Sequence, residues 1–164
     1  MNIRYRRFVS PLGAIFLAGR DDALLGAWFE GQRHFAGIPP EWDEADSPLL
    51  VEAARQLDAY FAARLTVFDL PLAPSGTAFQ QAIWRAIAAV PYGATTTYDA
   101  LGRAAGAPGA ARAAGAATGR NPLSIIVPCH RIVGASGALT GYAGGLARKE
   151  TLLALESATR RQAA

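Results

Sequence analysis

Leu70-Pro71-Leu72-Ala73-Pro74-Ser75-Gly76, followed at once by Thr77-Ala78-Phe79-Gln80, divides the chain into two kinds of sequence. Two prolines and a glycine within seven residues cannot continue a helix, so the first stretch reads as a linker. Thr77 and Gln80 have the spacing of a capping box, in which the Thr side chain accepts from the N3 amide and the Gln side chain reaches back. Phe79, Ile83, Trp84, Ile87 and Val90 then recur at helical spacing, and Pro91-Tyr92-Gly93 stops the helix. The spacing predicts a domain boundary here, with one unit over 1–72 and a second over 73–164.

Upstream the signals are those of strands. Ile3 to Val9, Ala14 to Ala18 and Ala23 to Phe29 are apolar runs separated by Ser10-Pro11-Leu12-Gly13 and Gly19-Arg20-Asp21-Asp22, the pattern of an antiparallel meander. His34 to Asp46, with Pro39-Pro40 and four acids, reads as an exposed loop. Ser47 and Pro48 then open a helix as N-cap and first helical residue, and Leu50, Ala53, Leu57, Tyr60 and Phe61 form its sheet-facing stripe. Downstream the chain is helical. Tyr98 to Ala105 and Ala110 to Thr118 flank Gly106-Ala107-Pro108-Gly109, which fits a helix-turn-helix. Leu146 to Leu155 is a terminal helix, with a polar tail expected to fray beyond Glu156. The fold class expected is α+β: an N-terminal antiparallel sheet with a packed helix, then a helical C-terminal domain.

With 164 residues, 51% of them hydrophobic, the chain can bury a real core. No stretch approaches the roughly 18 apolar residues of a membrane span, and the start lacks a signal-peptide core, so a soluble cytoplasmic protein with no membrane partner is expected. One cysteine excludes an internal disulfide and a cysteine-based structural metal site. Charge is divided: Met1 to Leu70 carries −3 and Pro71 onward +6, which directs any polyanion binding to the C-terminal half.

Ile125-Ile126-Val127-Pro128-Cys129-His130-Arg131-Ile132 is the densest chemical signal. A thiol attacks as thiolate, and an imidazole with a basic neighbour such as Arg131 is the kind of setting that lowers its pKa. A buried Cys in a strand is the competing reading. Neighbouring strand residues face opposite ways, so contact between Cys129 and His130 requires a turn or a bridging water. In Ala110 to Ala117, Arg112 is the one long side chain. A major-groove reader carries long polar groups, whereas small residues allow close approach to a minor groove; an alanine-rich core helix remains the alternative. Gly137 to Gly145 can bring backbone against a flat ligand, with Tyr142 as a stacking face, or it is an ordinary flexible hairpin.

Taken together, Thr77–Gln80, Ile83-Trp84, Pro91–Gly93, Tyr98, Gly106–Pro108, Ala110–Ala113, Asn121-Pro122, Pro128–Arg131, Gly141–Gly145 and Lys149–Glu156 resemble, in order and spacing, the methylated-DNA–protein-cysteine methyltransferases. The likeness is close over Pro74 to Glu156. It implies a ribonuclease-H-like first domain and a second domain that binds double-stranded DNA containing O6-alkylguanine. It implies that Cys129 accepts the alkyl group, that His130 acts through a water as base, and that Glu156 orients His130. Asn121 would secure the active turn, and Tyr98 would crowd a phosphate and help protonate the leaving guanine. Arg112 would fill the stack after the nucleotide flips out, with Ala110, Ala111, Ala113 and Gly115 against the minor groove. Ile132, Tyr142 and Ala143 would belong to the substrate pocket. Flipping is required because O6 is out of a thiolate's reach inside a duplex.

The resemblance implies no organic cofactor. Relatives that hold zinc use cysteines absent here, so no metal is expected either. A monomer is implied, with cooperativity on DNA, and action on O4-alkylthymine, left open. Two positions depart from the usual pattern: Ala114 replaces a larger aliphatic residue and Gly102 replaces Ala. Three other functions compete. A lesion-binding, non-transferring relative would lack the cysteine. A helix-turn-helix transcription factor sensing alkylation at Cys129 would need base-reading side chains. A thiol hydrolase would turn over repeatedly.

Overall fold

In the computed structural model, which describes residues 2–163, strands β1 (Arg4–Ser10), β2 (Gly13–Gly19) and β3 (Leu24–Phe29) form the expected antiparallel meander. Phe8 faces Ile15 and Arg6 faces Leu17 across β1 and β2, which puts Phe8, Ile15 and Leu17 on the core side. The segment expected to be an exposed loop contributes one short element, β4 (Asp43–Glu44), parallel to β1, so the sheet order is β3-β2-β1-β4. Two charged residues carry no strand periodicity, and only pairing with β1 orders them.

Helix α1 (Pro48–Phe61) begins as the sequence requires, with the Ser47 Oγ accepting from the Leu50 N–H at 3.2 Å. Leu50, Ala53, Leu57 and Tyr60 are fully buried against the sheet, while Phe61 lies at the margin. Each buried Leu stabilises by about 2 kcal/mol.

Residues 70–76 are tied to the sheet. The Leu24 N–H donates to the Pro71 carbonyl at 2.8 Å and the Ala73 N–H donates to Leu24 at 2.9 Å, so the segment runs along β3 as a single parallel bridge. Farther along the same edge, the Ala27 N–H donates to Pro122 and the Ser124 N–H donates to Ala27. The free edge of β3 is thereby occupied by the segment that leads to Cys129.

The C-terminal part packs α2 (Ala78–Ala88), α3 (Tyr98–Ala104) and α4 (Ala111–Gly119) on one another. The capping box of α2 is complete, with Gln80 N–H to Thr77 Oγ1 at 3.1 Å and Thr77 N–H to Gln80 Oε1 at 2.9 Å. The Trp84 indole N–H donates to the Ala117 carbonyl at 2.9 Å and ties α2 to α4. Gly106 and Gly109, both at positive φ, make the turn between α3 and α4. A second sheet pairs β5 (Thr96–Thr97) with β6 (Ile132–Val133). Helix α5 (Leu146–Ala163) continues past Glu156 where fraying was expected: Thr159 Oγ1 donates to the Leu155 carbonyl, and the Arg160 guanidinium donates to the Gly93 carbonyl at 3.2 Å.

Candidate active site

Cys129 lies on neither a strand nor an α-helix. Asn121 builds the approach to it: its Oδ1 accepts from the Leu123 N–H at 3.0 Å and its Nδ2 donates to the Val127 carbonyl at 2.8 Å. Ile125 sits inside this loop at φ 71°, a region that costs a β-branched residue on the order of 1–2 kcal/mol. Pro128 then leads into a single 3-10 turn, Cys129 to Arg131. A 3-10 turn removes the opposition that a strand would impose on Cys129 and His130. Because β6 leaves this turn and pairs with β5, Tyr98 at the start of α3 is brought beside it.

The sulfur opens on a cavity of about 360 Å³ although Cys129 is only 5% exposed. Tyr98, Gly115, Ala116, Tyr142 and Ala143 line the cavity with it. This volume lies in the range of small-ligand sites. The Tyr98 hydroxyl donates to the Thr140 carbonyl at 2.9 Å, and burial holds its pKa above the usual phenol range, so it keeps its proton at neutral pH. Tyr142 approaches the His130 ring edge-on at 6.5 Å. Ile132 stands apart from the other expected pocket residues. It is fully buried and absent from the cavity wall, and its carbonyl instead accepts from the Lys149 ammonium.

Behind the thiol, Glu156 receives five hydrogen bonds. Oε2 accepts from His130 Nε2 at 2.7 Å, the Tyr60 hydroxyl at 2.7 Å and Arg131 Nη2 at 3.0 Å. Oε1 accepts from Arg131 Nε at 2.8 Å and the Gly93 N–H at 3.3 Å. Burial opposes the carboxylate charge, but the His130, Arg131 and Tyr60 donors prevail and hold Glu156 at about 2. An ionised Glu156 only accepts, so the neutral imidazole carries its proton on Nε2 and presents a bare lone pair at Nδ1. That Nδ1 is buried and has no partner among the described residues. Burial also keeps the imidazole pKa below its ordinary value, against the pull of Glu156.

The electrostatics differ from the sequence expectation at the thiol. Burial pushes Cys129 up to about 11, while the Asn121 amide and the Lys149 ammonium pull it down. Arg131, expected to lower it, is committed to Glu156 and to the Val90 carbonyl at 2.8 Å. Lys149 is the nearby cation. It is fully buried, donates to the Ile132 and Gly141 carbonyls, and forms no carboxylate ion pair among the described residues. Its position was open to the sequence: Lys149 and Glu156 are seven residues apart, two turns of one helix face. Tyr60, Arg33 and His34 gave no such signal. The last two enter the cavity wall from the loop after β3, where the Arg33 N–H donates to the Ala143 carbonyl at 3.0 Å.

On α4, Arg112 and Ala113 are exposed, Ala110, Ala111 and Gly115 are half-buried, and Ala114 and Ala117 pack inward. The core reading of this helix applies to the face carrying Ala114 and Ala117, and the Arg112 face is left exposed. Arg112 borders a shallow groove with Thr97, Asp99 and Ala135, and Tyr98 and Gly115 belong to both this groove and the Cys129 cavity.

Residues 78–158 match the family described as 6-O-methylguanine DNA methyltransferase, DNA binding domain, and residues 3–74 match its ribonuclease-like domain. A methylated-DNA–protein-cysteine methyltransferase of Mycolicibacterium paratuberculosis is 47% identical, covering 94% of this chain and 92% of that one. A protein of the same name from Methanosarcina acetivorans is 49% identical, covering 93% and 97%. The crystal structure of Mycobacterium tuberculosis OGT in complex with DNA superposes with a TM-score of 0.89 at 46% identity, covering 95% and 94% of the two chains.

Proposed function

Because the chain belongs to the methylated-DNA–protein-cysteine methyltransferase family, we propose that it repairs DNA by moving an alkyl group from O6 of guanine to Cys129, once per molecule. The observation that carries this reading is the coincidence of the lone thiol, a cavity of about 360 Å³ that it lines and a base–carboxylate pair at 2.7 Å.

A thiol held near 11 is almost wholly protonated at neutral pH, so it needs a base at the moment of attack. His130 Nδ1 takes the thiol proton through one water, and Glu156 stabilises the imidazolium that forms. Lys149 stabilises the thiolate. Sulfur attacks the alkyl carbon in line, the carbon–O6 bond breaks, and guanine leaves with a proton supplied through the Tyr98 hydroxyl. The thioether has no facile route back, which makes the reaction stoichiometric. The DNA partner lies along α4, with Arg112 in the gap left by the flipped nucleotide, and the protein acts there as a monomer. A binding-only role is not favoured, because Cys129 and its base are both present.

The test is a duplex with labelled O6-methylguanine. One label per protein, all of it on the peptide containing Cys129, is expected. Label elsewhere, or repeated turnover, overturns the assignment.

The Gly-rich loop supplies a further check. A Cβ on Gly144 would lie 2.8 Å from the Tyr142 ring and 3.0 Å from Phe29. Gly144→Ala is therefore expected to displace Tyr142 from the cavity and slow transfer about tenfold in single-turnover kinetics. An unchanged rate would show that Tyr142 does not hold the base.

A further inference from the structure

The sheet half of the chain is acidic and stands behind the reactive turn, yet one of its side chains reaches the proton relay. Tyr60, on the last turn of α1, is fully buried, and its hydroxyl lies 2.7 Å from Glu156 Oε2. That oxygen is the same one that receives His130 Nε2–H, also at 2.7 Å. The two donors come from residues 70 positions apart in the chain and share one acceptor atom. The ring is held independently of the hydroxyl, edge-on to Phe61 at 5.4 Å and Tyr92 at 6.2 Å and tilted against Phe68 at 5.6 Å.

We propose that Tyr60 is a positioning residue of the alkyl-transfer reaction, through which the N-terminal part of the chain sets the basicity of His130. The inference rests on the alkyl-transfer reading above. Its physical content is competition for charge. A carboxylate oxygen that accepts from a phenol offers less negative charge to the imidazole, so the imidazolium is stabilised less. The other charged groups facing His130 are fixed: Arg131 binds both Glu156 oxygens, and Lys149, which also faces the ring, is held by two carbonyls. Among these contacts, the phenol is the neutral one that can be removed without altering net charge. Tyr60 itself does not ionise in the working range, since burial and Glu156 drive its pKa far upward. Its hydroxyl therefore acts as a constant donor.

Tyr60→Phe keeps the aromatic packing and deletes the donor. In full-length protein, the single-turnover rate on an O6-methylguanine duplex is expected to lose its activity at the acid side about half to one pH unit higher than the parent. The alkaline plateau falls by about three- to tenfold, as the less anchored carboxylate positions His130 less well. A merely structural tyrosine would change stability and leave the acid limb where it was, and that result overturns the proposal. Should Tyr60→Phe fail to fold, 3-fluorotyrosine incorporated at position 60 alone makes that phenol a stronger donor and leaves Tyr98 and Tyr142 unaltered. It is expected to move the acid limb downward, and an unmoved or upward limb refutes the idea. If the parent protein transfers no methyl group, the functional reading itself fails, and the two failures are thereby separated.

Discussion

Glu156→Gln is expected to destabilise the protein by about 3–5 kcal/mol and to slow alkyl transfer by at least about a hundredfold. The side chain is fully buried and is the only carboxylate that Arg131 and His130 meet among the described residues. Removing its charge leaves a guanidinium that is itself only 6% exposed with neutral acceptors alone, the Val90 carbonyl and the single oxygen of the new amide. An orphaned buried cation is one of the few single changes that can take a large share of a total stability of about 5–15 kcal/mol. The new amide also offers an N–H where Nε2–H now donates, so the imidazole loses the tautomer that bares Nδ1. Denaturant titration and single-turnover kinetics read the two effects separately. Loss of rate with full stability, or the reverse, would show that the carboxylate serves only one purpose.

The same side chains set the response to acid. Glu156 is held at about 2 in the folded protein against an ordinary 4.5, so its stabilisation is complete above pH 4.5 and is lost as pH falls toward 2. That difference corresponds to about 3 kcal/mol. His130 is depressed below its ordinary 6.5, so the unfolded chain takes up that proton first and stability begins to decline below pH 6.5. Both contributions have the same sign. Acid therefore weakens the fold progressively, with the His130 contribution the first to begin to fall.

Much of this arrangement was legible in residue order because it is encoded locally. Ser47-Pro48, the Thr77–Gln80 box and the glycines of the α3–α4 turn act within four residues of themselves, and each appears where the sequence placed it. Cys129 and His130 stood out in the sequence itself and Glu156 through a resemblance that lies in the same half of the chain; the structure puts the two neighbours on one turn and His130 on Glu156. What escaped depends on contacts made across the fold. β4 exists only through β1, and the last turns of α5 are secured by Arg160 on Gly93. The expected depression of the thiol pKa rested on an imidazole and Arg131 as its neighbours. Burial reverses the direction, and Arg131 faces the carboxylate. Tyr60 was read correctly as a core residue of α1, but periodicity reports only which face is buried. It is silent on what the hydroxyl at the end of that face will meet.

Arg112→Ala is expected to cut repair of an O6-methylguanine duplex by about 10- to 100-fold while changing reaction with free O6-benzylguanine by less than about threefold. Arg112 is exposed, forms no ion pair among the described residues, and lies on the face of α4 opposite buried Ala114 and Ala117. Its removal should therefore leave stability within about 0.5 kcal/mol. The duplex is different. Extruding a nucleotide costs a few kcal/mol of stacking and pairing, and a long cationic side chain that occupies the gap offsets part of that cost. The free base carries no stack to be broken, so it reports only the cavity and the relay. Tyr98, which belongs both to the Arg112 groove and to the Cys129 cavity, provides the contrast. Tyr98→Phe should impair both substrates, because its hydroxyl is assigned to proton delivery at the leaving base. Equal losses on both substrates for Arg112→Ala would remove the stack-filling role and place that arginine with the reacting groups instead.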